Sequence, residues 1–331
     1  MNLIASYLDG VIHPEAYHGN HKKSNFFEGW YIKLVSADQS HRVAIIPGIF
    51  KGLPNAKQAD ESFVQVLDGS TGKSWYHKFP KENFKASQKH FQVSVAENAF
   101  SSTGLSLNLP SIQGEVRFTT AMDPWPVTLT SPGIMGWYGM VPFMECFHGV
   151  VSFGHGLSGS MTLEGKEISF EGGRGYIEKD WGQAFPSGYI WLHSNHLQSQ
   201  PEASFVGSVA IIPWLGKSFR GFIVGLKHSG KLHRWTTYNS SKERILEVTD
   251  EMVRWTLEGK DGVLEITANR KRGGLLHAPL REAMHQRVEE TLDAEFNISH
   301  LSAKGELILE TMAKSGGMEV YGDIEKLVAY E

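Results

Sequence analysis

A single cysteine, Cys146, stands in 331 residues, so no intramolecular disulfide can form, which fits a reducing compartment. No apolar run reaches membrane-spanning length. The two most hydrophobic stretches, "VAIIPGIF" (43–50) and "VGSVAIIPWLG" (206–216), are short and broken by proline and glycine, as buried strands are. The start lacks a basic region followed by an apolar core, so no signal peptide is read there. A cytoplasmic location is therefore expected, with peripheral membrane contact left open. Lysine and arginine form no stripe and the formal net charge is −4, which argues against a nucleic-acid partner. The glycines of "GGRG" (172–175) precede no helix and so form no phosphate or dinucleotide loop.

Helical periodicity is scarce as well. Only Leu280, Met284, Val288 and Leu292, four residues apart, predict a helix over 280–292. Turn signals are frequent instead: "DGSTGK" at Asp68, "LEGKE" at Leu163, "HSGK" at His228, "EGKDG" at Glu258 and "SAKGE" at Ser302. The runs between them, such as "FQVSVAENAF" and "RGFIVGLKHSGKLHRWTTY", alternate with period two. An all-β, antiparallel, hairpin-rich chain of barrel or sandwich type follows. "AIIP" occurs at Ala44–Pro47 and again at Ala210–Pro213, each time after an aromatic strand and a polar turn. This repeat predicts a tandem duplication with units at 1–185 and 186–331.

Chemistry concentrates in "RGYIEKDWG" (174–182). In an extended strand Tyr176, Glu178 and Asp180 share one face, and Ile177, Lys179 and Trp181 the other. Two buried carboxylates on one face repel, which keeps one of them protonated and able to donate. The plainer alternative is that both are solvated or paired with Arg174 and Lys179. In "SNFFEGWYIKL" (24–34) the same alternation puts Glu28 beside Trp30. Cys146 and His148 also share a face, but nothing nearby marks an oxyanion hole. His193 and His196 fall on opposite strand faces, and His13, His18 and His21 lie in an irregular segment, so no metal site is expected.

"FFEGWY", "YIEKDWGQAFPSGYIWLHSN" and "HAPLREAMHQ … KGELILETMAKSGGMEVYGD", in this order along the chain, resemble the tocopherol cyclase family. More distantly, Tyr176, Glu178, Trp181 and Gly182 are similar to a motif of carotenoid hydratases within the AttH-like calycin group. The resemblance implies two lipocalin-like (calycin) units and an enzyme that needs no cofactor. It would close a chroman ring on a prenylated hydroquinone, its hydrophobic small-molecule partner, by protonating an alkene. Acids among aromatic rings suit that step, because an alkene is a poor base and the resulting carbocation is stabilised by ring faces. Glu178 is then the first candidate donor and Asp180 the second, although the plant cyclases tend to carry asparagine at the position of Asp180. Tyr176, Trp181, Trp191, Trp30 and Trp137 would wall the pocket, with Asn195 and Glu28 at the polar head group. A carrier that binds the same lipids without chemistry, or a hydratase or pericyclase acting on another terpenoid or polyene, remains the alternative.

Overall fold

All five turns read from the sequence close antiparallel hairpins. Two have left-handed φ at both central residues, Glu164–Gly165 (49° and 81°) and Ser229–Gly230 (49° and 74°). That geometry matches the twist of the flanking strands, and the glycine adopts it without a Cβ clash. The computed structural model describes residues 11–54, 60–128 and 131–330. The chain is all-β, apart from 3-10 turns and short helical segments such as Ile324–Ala329. That helix is capped by the Asp323 carboxylate, which accepts from the Lys326 amide at 3.1 Å.

The expected helix at 280–292 is not formed: residues from Met284 belong to the strand Met284–Leu301. A spacing of four keeps side chains on one face of a strand as well as of a helix, so those four residues could not discriminate. The long register with Gly262–Asn269 and Leu307–Gly322 decided the outcome.

Two compact units divide the chain: Met1–Phe185 with Leu275–Arg287, and Pro186–Gly274 with Val288–Glu331. Each is built on one antiparallel sheet. In the first, the strands Lys73–Pro80, Glu61–Asp68, Arg42–Lys51 and Phe26–Val35 run in that order, followed by Arg174–Gly182, Cys146–Leu163 and Ile112–Phe118. In the second the order is Lys231–Thr236, Lys217–His228, Ser204–Trp214 and Gly188–Ser194, then Leu307–Gly322, Met284–Leu301 and Gly262–Asn269. Both sheets therefore pair the first long strand with the last. The two "AIIP" runs lie in the second strand of each opening hairpin. The hydrogen-bonded paths stay open at their ends, so these lipocalin-type units are sandwiches and not closed barrels.

Trp30, Ile32, Leu34, Ile45 and Ile177 belong to the core of the first unit. Ile190, Leu192, Trp235, Trp255 and Phe296 belong to that of the second. Phe26–Val35 is buried nearly throughout, on both faces, including the charged side chains of Glu28 and Lys33.

Candidate functional site

Arg174–Gly182 lies between Phe26–Val35 and Cys146–Leu163. Its alternation sends the acidic motif to two faces. Tyr176, Glu178 and Asp180 point one way; Lys179 and Trp181 point the other, where Glu28 and Trp30 lie across from them.

On the Glu178 face, the Tyr176 hydroxyl donates to Glu178 Oε2 at 2.6 Å. His148, across from Asp180 in the register, places Nδ1 2.8 Å from Asp180 Oδ1 and Nε2 3.6 Å from Glu178 Oε2. Tyr176 and Glu178 are buried, and Asp180 is partly open. Burial opposes charge on His148, yet the neighbouring Asp180 and Glu178 carboxylates outweigh it and lift its pKa to about 9. Imidazolium is thus its form at neutral pH. Burial first, and then Glu178, push the Tyr176 phenol far above its usual range, so it stays a donor. Burial likewise drives the Cys146 thiol well above its ordinary pKa, with Asp180 and Glu145 adding to it, which argues against a nucleophilic thiolate. Ligand atoms of His148, Glu178 and Asp180 lie within 4.8 Å of one another and could also converge on a cation. The same sheet face carries Phe27, Tyr31, Phe50 and Phe63. Phe27, Phe50 and Phe63 cluster with Met284, Tyr76 and Phe185.

On the opposite face the charges are fixed. Glu28, fully buried, lies 2.5 Å from Lys179 Nζ and accepts backbone N–H bonds from His18 (2.9 and 3.1 Å) and Gly19 (3.1 Å). Desolvation raises its pKa, but Lys179 and His18 prevail and hold the carboxyl below its usual range. Burial brings Lys179 down to about 8, with Glu28 resisting. The ammonium also donates to the Ala16 carbonyl and sits over the rings of Trp30 (4.6 Å) and Trp181 (4.9 Å). Trp181 is stacked between His18 (4.4 Å) and Phe147 (5.5 Å).

The structure therefore brings together Tyr176, Glu178 and Asp180, and separately Glu28, Trp30 and Trp181. Trp137 stands 41% exposed on the turn Gly136–Met140, stacked on Tyr138 at 3.9 Å. Trp191 and Asn195 are buried residues of the second unit. Two partners escaped the sequence reading. His148 was weighed only against Cys146, and Lys179 only as a surface partner of the acids. Both depend on strand register across long loops, which no local pattern carries.

Residues 103–322 match the family described as tocopherol cyclase-like. The Oryza sativa subsp. japonica protein named "Probable tocopherol cyclase, chloroplastic" is 25% identical over 237 residues, covering 66% of this chain and 49% of that protein. The chain thus spans about half the length, or less, of the curated relatives it matches. Among solved structures, kievitone hydratase from Nectria haematococca is similar with a TM-score of 0.51 and 11% identity, covering 89% of each chain. CghA in complex with Sch210972 is similar with a TM-score of 0.58 and 9% identity, covering 90% of this chain and 88% of that one. At such identities these two speak for the fold alone. The rice relative's name places it in the chloroplast, which gives no support to the cytoplasmic location expected here. No helix among the described residues is long and apolar enough to cross a membrane.

Proposed function

Because the chain belongs to the tocopherol cyclase-like family, we propose that it closes a chroman ring on a prenylated hydroquinone by protonating the prenyl alkene, with Glu178 as the donor. The observation that carries this reading is the chain Tyr176–Glu178–His148–Asp180, buried at its Tyr176–Glu178 end.

Asp180 holds His148 as imidazolium, and that pair is neutral together. Glu178, buried beside the Tyr176 hydroxyl and the His148 ring, is the member to which we assign a transferable proton. With that proton the trio is neutral overall and contains one carboxylic acid. Glu178 gives the proton to the alkene carbon, leaving a tertiary carbocation, and the aromatic residues on its sheet face favour that cation by up to about 2 kcal/mol each. The substrate's phenol oxygen, already within reach, attacks the cation and forms the new C–O bond. The phenol proton returns to the Glu178 carboxylate, so no proton or electron is consumed and no redox partner is called for. Tyr176 fixes the rotamer of Glu178, and His148 Nε2 supplies a nearby proton reserve. Glu28 is not the acid, because Lys179 and the backbone N–H groups of His18 and Gly19 hold it as a carboxylate. Exposed Trp137, Met140 and Phe143, close in sequence, suit uptake of a lipid-dissolved substrate.

Glu178→Gln tests the assignment. It keeps size and shape but has no acidic proton, so turnover of a prenylated hydroquinone should fall by roughly 10²–10⁴-fold while the fold is retained. Asp180→Asn should be milder. Normal turnover by Glu178→Gln would overturn the role of Glu178. Substrate recovered unchanged from the wild type would make the chain a carrier, and a product heavier by one water would make it a hydratase.

A further inference from the structure

The second unit holds a histidine cluster that alkene protonation does not use. His228 ends the strand Lys217–His228, His233 lies on the next strand of the same hairpin, and His300 lies near the end of Met284–Leu301. Their exposures are 5%, 7% and 0%. Ligand nitrogens of the three lie within 4.8 Å of one another. Three imidazoles at this depth are unusual as mere filler, since each carries two polar nitrogens that burial makes costly to leave unpaired.

The hydrogen bonds orient the rings inward. His300 Nε2 lies 2.7 Å from the Asp261 carbonyl oxygen, so that nitrogen carries the proton and Nδ1 presents a lone pair to the cluster. Backbone-carbonyl anchoring of the outer nitrogen is how metal-bound histidines are commonly held. His228 Nε2 faces that lone pair at 3.1 Å. Zinc–nitrogen bonds of about 2.0–2.1 Å set ligand nitrogens roughly 3.3 Å apart in a tetrahedron, close to this separation. His233 Nδ1 is buried with no hydrogen-bond partner. Its ring is stacked on that of His228 at 4.6 Å and 12°. Asp261 lies at the edge of the cluster, with Oδ2 taken by the Arg234 amide at 2.9 Å and Oδ1 3.7 Å from Lys231 Nζ and 3.9 Å from His233 Nδ1. Burial lowers the pKa of all three histidines, that of His233 to about 4, so they are in the neutral form that binds metals.

We infer that His228, His233 and His300 form a site for a divalent transition metal of zinc type, with water completing the tetrahedron. Nitrogen donors select zinc, copper or nickel over magnesium and calcium. The metal would tie the His228–His233 hairpin to the end of Met284–Leu301, and its role is structural.

The test uses the full chain stripped with chelator, dialysed and titrated with Zn²⁺ against a chromophoric competitor. One zinc per chain is expected, with a rise in melting temperature on the order of 5 °C at 100-fold excess over the dissociation constant. His233→Gln should abolish the stoichiometric binding, whereas His148→Gln should leave it intact. A folded wild type that takes up no zinc at micromolar concentrations would overturn the proposal. So would binding unaffected by His233→Gln, or binding lost only in His148→Gln, which would move the metal to the acid cluster. If His233→Gln does not fold, the stripped wild type decides alone: a zinc-dependent rise in melting temperature that His148→Gln preserves supports the site, and an unchanged one rejects it.

Discussion

The two units share a strand order but differ in what they bury where the first long strand meets the last. In the first unit Trp30 faces Lys179 and Glu28 faces Trp181. In the second, Ile190 faces Val320 and Leu192 faces Met318, all part of one apolar core. An ion pair in such a place is rarely worth more than the hydrophobic contact it replaces. It fixes the strand on whose other face Glu178 and Asp180 stand. The aliphatic copy is the ordinary solution for stability.

The comparison is broken most forcefully by Lys179→Met. This change leaves the Glu28 carboxylate buried without its partner, and it should cost about 3–5 kcal/mol, read as a lower denaturation midpoint. Adding Glu28→Gln should restore much of that loss. An unchanged midpoint in the single variant would mean that the pair is not what holds these strands. In the second unit, Leu192→Ala removes a fully buried side chain and should cost about 2–5 kcal/mol through the cavity it leaves. The surviving folded protein should turn over substrate at the normal rate.

A smaller and subtler contrast lies in pH. The folded pKa of His148 is raised to about 9, so its contribution to the first unit is complete below its ordinary value of 6.5 and is lost as pH rises through about 9. Glu28 runs the other way. Its folded pKa is lowered, so its contribution is present above 4.5 and lost as pH falls through the depressed value. In chelator-treated protein the histidines of the second unit have lowered pKa values, so that unit should weaken as pH falls below 6.5. Because Lys179, lowered to about 8, gains stability over the same alkaline range, the His148 contribution should be read as the difference in melting temperature between wild type and His148→Gln, which should shrink as pH rises through about 9. Turnover should decline above about pH 9 as His148 loses its proton. A difference that stays constant up to pH 10 would contradict the protonated state assigned to His148.

Much of this was legible locally. Hairpin turns announce themselves through glycine next to a polar residue, and period two placed Tyr176, Glu178 and Asp180 on one face before any partner strand was known. What depends on register was not legible. Nothing in "MECFHGV" says that His148 will lie across from Asp180, and nothing in "FFEGWY" says that Glu28 will meet Lys179. The His228–His233 pair was nearer to hand. In a two-residue hairpin centred on Ser229–Gly230, His228 falls across from Lys231 and His233 across from Leu226, which puts both histidines on one face. The third member, His300, again required the fold. The misread helix at 280–292 has a different cause, since a four-residue recurrence fits both periods.

One feature of the first unit bears on how the protein can be taken apart. Residues 275–287 belong to it although they are flanked on both sides by the second unit's sequence. The side-chain amide of Gln65 binds them as a strand edge would, accepting from the His277 amide at 2.6 Å and donating to the His277 carbonyl at 3.2 Å, and Tyr76 stacks on the His277 ring at 4.0 Å. A gene cut after Phe185 would thus encode an incomplete product, leaving Gln65 and the aromatic patch around Phe63 uncovered in the fragment. Expression of the first unit by itself calls for a graft or a circular permutation that returns the 275–287 ribbon to the same polypeptide, or for a synthetic peptide of that sequence supplied in trans.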